Sequence, residues 1–157
     1  MNFNDNPRGG TMVLSKAGIA IGDGAKTGVA VAAPNGAGID FCIDGYMYHK
    51  ADSATNVPLT GSTVPVLSTV LYTVCLTSGG TVSFVQGTPV LNAKLAGGTH
   101  ALYFPQPTAG TVAIGGIKIV LTNAQTFVPG TTAMDVGADC TVTYYDFCTL
   151  PTNPITA

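Results

Sequence analysis

Apolar and polar residues alternate with a period of two along most of the chain, the spacing at which side chains reach the two faces of a β-strand. The clearest run is "STVLYTVCLTSGGTVSFVQG". Val70, Tyr72, Val74 and Leu76 share one parity, and Thr69, Leu71, Thr73, Cys75 and Thr77 share the other. The chain turns at Ser78-Gly79-Gly80 and returns through Val82, Phe84 and Val85. The pattern predicts a hairpin with one apolar and one threonine-rich face, and placing Cys75 on the latter makes it the most accessible cysteine.

A second hairpin is read from "GIDFCIDGYMYHKA". Asp44-Gly45 suits a two-residue type I′ turn, which needs positive φ at both positions. That turn sets Ile43 opposite Tyr46, Cys42 opposite Met47, Phe41 opposite Tyr48 and Asp40 opposite His49. Phe41, Ile43, Tyr46 and Tyr48 then form a core face, while Asp40, Cys42, Met47 and His49 share the outer face, with Asp40 and His49 as a cross-strand pair. In "GTVAIGGIKIVLTN" the apolar parity changes between Val112, Ile114 and Ile117, Ile119, Leu121. A bulge or bend at Gly115-Gly116 keeps both groups inward.

Between about 87 and 110 the chain loses its period and carries three prolines. This reads as a long connection packed through Leu102, Tyr103 and Phe104, with a short helical turn near 91–96 and an extended Pro105-Gln106-Pro107. "FVPGTTAMDVGADC" reads as a loop and "CTVTYYDFCTL" as the last strand. The predicted fold is all-β, an antiparallel sandwich or barrel of about seven to nine strands. An extended N-terminal arm occupies 1–15, the β-domain 16–150 and a C-terminal tail 151–157.

"GIAIGDGAKTG" has the glycines and Lys-Thr pair of a phosphate loop without its spacing. Ala25 separates Gly24 from Lys26, and Thr27 stands where the third glycine of a dinucleotide pattern belongs. It reads instead as a strand entry and a glycine turn, with Gly22 and Gly24 supplying backbone freedom.

Composition changes the picture through charge. The 157 residues contain no glutamate, and charged residues are 9%, where an ordinary domain has roughly 25%. A surface so poor in charge favours a homo-oligomer or a part of a larger assembly. The basic residues Arg8, Lys16, Lys26, Lys50, Lys94 and Lys118 are scattered singly and the net charge is −2, so there is no basic stripe for nucleic acid. The N-terminus lacks a signal-peptide layout and no run is long enough to span a membrane, which predicts synthesis in the cytoplasm.

Candidate chemistry is sparse. Carboxylate pairs reduce to Asp135 with Asp139 and Asp40 with Asp44, and the latter aspartate is accounted for by the turn. Cys42 with His49 is the one local thiol–imidazole combination, and no GxSxG surrounds a serine. Asp135 and Asp139 with loop carbonyls supply oxygen ligands for calcium, but the dense EF-hand spacing is missing. Cys42, Cys75, Cys140 and Cys148 form no CxxC, and His49 and His100 are not at zinc spacing. Cys140 and Cys148, on one extended strand, stand about 26 Å apart and cannot bond each other. No cofactor is expected, and the reading is non-enzymatic, against a third alternative of a small hydrolase.

The succession "IDGYMYHKA", "LYTVCLTSGGTVSFVQG", "PQPTAGTVAIGGIKIVLTN", "FVPGTTAMD" and "TVTYYDF" resembles small virion proteins of tailed bacteriophages, the capsid decoration (cement) and head-fibre class. The resemblance spans about residues 16 to 147 and lies in strands and turns, with no active-site residues to carry over. It implies a β-rich and often trimeric protein, located on the virion, that binds the major capsid protein and stabilises the shell against internal DNA pressure. On that reading Phe3, Asn4, Pro7 and Arg8 belong to an arm that contacts the capsid, and Cys75 and Cys148 are candidates for an inter-subunit disulfide formed outside the cell. The alternative is a tail or fibre adhesin whose exposed Tyr103 and Phe104 contact host carbohydrate.

Overall fold

The computed structural model describes residues 10–122, 125–135 and 139–155. Their strands are β1 (Met12–Val13), β2 (Ile19–Ile21), β3 (Gly28–Val31), β4 (Ile39–Ile43), β5 (Tyr46–Lys50), β6 (Ser53–Pro58), β7 (Ser68–Thr77), β8 (Val82–Gln86), β9 (Val90–Leu91), β10 (Thr111–Leu121) and β11 (Cys140–Asp146). One short helix, α1 (Asn92–Ala96), follows β9. The fold is all-β, as the alternation predicts. The strands exceed the expected number because β1 and β9, two residues each, are too short to show a period.

Three antiparallel sheets are formed. The largest runs β11-β10-β7-β8, with β9 also paired to β7; the smaller ones run β1-β4-β5 and β2-β3-β6. The main core lies between one face of the large sheet and both small sheets. Val70, Tyr72, Val74 and Leu76 from β7 and Ile114, Ile117 and Ile119 from β10 meet Ile39 and Phe41 of β4 and Val29 and Val31 of β3.

Local sequence explains the joints. Asp44 (φ 51°) and Gly45 (φ 85°) form the positive-φ pair of the β4–β5 turn, and every pairing in that hairpin follows the predicted register. Tyr46 departs from expectation. It has core parity but sits at the hairpin tip and stays exposed, whereas Tyr48, one core-face pair further in, stacks on Phe41 with ring centroids 5.7 Å apart. The register of β10 against β7 slips between Ala113 and Gly115, so Val112 and Ile114 join Ile117, Ile119 and Leu121 in the core across the change of parity. "GIAIGDGAKTG" is the β2–β3 connection: Gly24 takes φ 76° and Lys26 φ 54°. Gly22 passes so close to Asn56 that a Cβ there would lie 2.5 Å from its Cα.

The expected arm enters the sheet before its predicted end. Met12 and Val13 pair with Cys42 and Phe41, and Val13 is buried.

The threonine face of β7 is where structure departs most from pattern. β7 is buried on both sides, because the 87–107 connection and the C-terminal tail fold over that face. Leu71, Ala113, Leu102, Phe104 and Phe147 make a second apolar cluster there, backed by Val90, Leu95, Leu150 and Ile155. The threonines tolerate burial because they find partners: the Thr73 hydroxyl donates to the Pro105 carbonyl (2.6 Å) and the Thr69 hydroxyl to Asn92 Oδ1 (2.7 Å). Cys75 is therefore fully buried, not the most accessible cysteine.

Candidate functional site

The sequence-derived catalytic combinations are separated by the fold or engaged elsewhere. Asp135 accepts a hydrogen bond from Lys26 Nζ at 2.6 Å, and that ammonium holds its carboxyl below the usual carboxylate range. Asp40 meets His49 Nδ1 at 2.8 Å, the predicted surface pair. Asp44 serves the turn. Two further aspartates fasten backbone: Asp146 Oδ1 accepts the Ile19 N–H at 3.0 Å and Asp52 Oδ1 the Ala33 N–H at 2.6 Å. Cys42 lies opposite Met47, with His49 on the same face but turned to Asp40. Among the described residues no three His, Cys or Asp side chains are grouped to hold a metal ion.

What the fold does assemble is a surface. In the β1-β4-β5 sheet Met12 is opposite Cys42, which is opposite Met47, so these side chains form a row across the outer face. Leu14 shares the parity of Met12, and its N–H donates to the Asp40 carbonyl at 2.9 Å. Cys42 is buried in the row, while Met12, Leu14 and Met47 are exposed, Met47 to 64%, and Tyr46 projects from the adjoining tip. Asp40 and His49 border the row. Contiguous exposed apolar side chains mark interaction sites, and methionine adapts to a partner's shape. Sequence reasoning placed Met47 on this face but missed Met12 and Leu14. Their one signal was the apolar "MVL" inside a polar stretch assigned to the arm.

The adhesin candidates divide. Tyr103 is exposed at the edge of an open groove, but Phe104 is buried and cannot contact a ligand with its ring free. It is wedged edge-on against Tyr145 and Phe147, at centroid distances of 5.6 and 4.8 Å. Alternation along an extended segment sends one ring out and the next one in. Phe3, Asn4, Pro7 and Arg8 lie outside the described residues.

No protein-family model, curated protein or solved structure matches the chain.

The cysteines correct one expectation. All four are free; Cys42, Cys75 and Cys140 are buried and Cys148 is exposed. Burial pushes the Cys75 thiol up, eased by the Thr111 side chain and the Thr108 backbone, and burial likewise raises Cys140. Thiolate is the reactive form, so both are inert in the folded chain. Cys75 cannot reach a second subunit without unfolding β7. Only Cys148 remains of the proposed pair, and a single thiol joins copies two at a time, so it cannot link all members of a trimer. A thiol reagent is expected to modify Cys148 at once and the other three only after denaturation, with Cys148→Ser abolishing the fast fraction. Rapid labelling of a second thiol in native protein would contradict the burial.

Proposed function

We propose that the protein is a non-enzymatic virion component that binds the outer surface of a tailed-phage capsid and stabilises the shell, as a decoration or cement protein. The observation that carries this reading is the outer face of the β1-β4-β5 sheet, where Met12 and Met47 are exposed on either side of Cys42 and Leu14 is exposed two residues beyond Met12, beside Asp40. A cement protein gains by area of contact with a lattice, and an interface core is apolar, depleted of charge and enriched in methionine and aromatic residues. The scarcity of charge over the whole chain suits contacts on more than one side, to the major capsid protein and to further copies in a homotrimer. Residues 1–9 precede this face in the chain and are proposed to extend the contact along the shell.

The test is gold-labelled antibody imaging of intact and tail-stripped particles, paired with rebinding of purified protein to particles that lack it. Regular labelling over the head is expected. Met47→Asp places an unpaired charge in the contact and is expected to weaken rebinding at least tenfold, an effect of about 1.4 kcal/mol, while leaving the fold intact because Met47 is exposed. Labelling confined to the tail or fibres would reject the decoration reading in favour of the adhesin. Full rebinding by Met47→Asp would move the contact to another face.

A further inference from the structure

A wide hollow lies between the β8–β9 connection and the 101–106 segment, far in sequence from the proposed shell contact. We propose that it is a binding groove for a neutral saccharide. Its volume is about 580 Å³, within the range of small-ligand sites. It is wide-mouthed, which suits part of an extended glycan better than an engulfed ligand.

The lining sets the chemistry. Gln86, Thr88, Val90, Leu102, Tyr103 and Gln106 carry its character, and none of its residues is acidic or basic. The groove offers an ionic group no counter-charge, which favours a neutral ligand. Leu102 and Phe104 are buried beneath, while Tyr103 is 55% exposed. A phenol ring presents a flat apolar face and a hydroxyl, matching the C–H face and the hydroxyls of a pyranose. The exposed amide of Gln106 and hydroxyl of Thr88 add donors and acceptors on the two sides. Gln86 is a fixed wall: its Oε1 accepts the Ser62 N–H at 2.6 Å and its Nε2 donates to the Ser62 carbonyl at 2.8 Å.

The groove is also held in shape. The Pro105 carbonyl accepts the Thr73 hydroxyl at 2.6 Å, the Leu102 carbonyl accepts the Ile155 N–H at 2.8 Å, and the Gly87 N–H donates to the Leu71 carbonyl at 2.8 Å. Both walls are thus tied to β7 or to the C-terminal tail, and Phe104 is locked between Tyr145 and Phe147. A ring presented on a pinned backbone loses little entropy on binding. Lys94 and His100 line a neighbouring hollow that shares Thr88 and Val90, which makes acidic sugars the control that matters.

Purified protein would be applied to an array of neutral oligosaccharides built of hexose and N-acetylhexosamine units, with sialylated and sulfated glycans alongside. Wild type, Tyr103→Phe and Tyr103→Ala would be compared, their folding checked by thermal melting. Binding to at least one neutral glycan is expected, kept by Tyr103→Phe and weakened about tenfold or more by Tyr103→Ala. Absence of neutral-glycan binding, binding to acidic glycans alone, or neutral binding indifferent to Tyr103→Ala would each overturn the proposal. No capsid is present in this assay, so its failure leaves the shell-binding reading standing.

Discussion

Replacing Phe104 with alanine is expected to lower the unfolding free energy by about 3–5 kcal/mol, a large part of the roughly 5–15 kcal/mol that holds a domain together. Phe104 is the centre of the second apolar layer, in contact with Tyr145 and Phe147 and backed by Leu71, Leu102 and Ala113. It fits because position 116 is glycine. A Cβ there would lie 2.2 Å from Phe104 Cε1, and the ring cannot swing away from its two aromatic neighbours. Gly116→Ala is therefore also expected to destabilise, through overpacking, by about 1–3 kcal/mol. The two changes share one clash. The double variant should cost less than the sum of the singles, and the shortfall measures the contact. Tyr103→Ala, next in sequence but exposed, should stay within about 0.5 kcal/mol of wild type. Urea denaturation of the four variants checks all of this. Strict additivity would mean that Phe104 and Gly116 do not meet.

Alkaline unfolding is the second large effect expected. Tyr72 is fully buried opposite Gln86, and burial raises its phenol well above the ordinary range. The Gln86 amide is committed to Ser62, and among the described residues the Tyr72 hydroxyl has no hydrogen-bond partner. Tyr144 is pushed up to about 12, first by its burial and then by the charges that Cys140 and Asp135 carry when ionised. Unfolded phenols lose their protons near about pH 10. Above that the unfolded chain binds fewer protons than the folded one, so stability falls as pH rises. The contribution of these tyrosines is complete below about pH 10 and disappears as pH climbs through their folded values. A cooperative loss of circular dichroism above about pH 10, coincident with a step in phenolate absorbance, is expected. Tyr72→Phe removes both the titration and the unpartnered hydroxyl, and should move the transition to higher pH. A transition unchanged in Tyr72→Phe would show that this phenol does not set the alkaline limit.

The hairpins were legible because their determinants are local. Asp44-Gly45 dictates a turn and the turn dictates a register, so Asp40 meets His49 across a neighbouring strand with no help from distant residues. The bulge in β10 was legible for the same reason, written in the change of parity around Gly115 and Gly116. The failures share a cause too. Cys75 and its threonine neighbours had the pattern of an outer face, and Met12 and Leu14 had the company of an arm, yet one set is buried and the other lies on or beside an ordered strand.

Periodicity reports which side chains share a face and is silent on what covers that face. Sequence by itself determined the all-β class, the two hairpins, the turn chemistry and the failed fit to a phosphate loop, since each depends on backbone geometry within a few residues. Only the tertiary structure decided that the 87–107 connection forms a second layer over β7, burying Leu71 and Thr73 and leaving Tyr103 outside with Phe104 within. The physical reason is that threonine suits either environment: its hydroxyl is satisfied by water or, as at Thr73, by a carbonyl 32 residues away. The choice between them belongs to the segment that arrives, not to the strand that receives it.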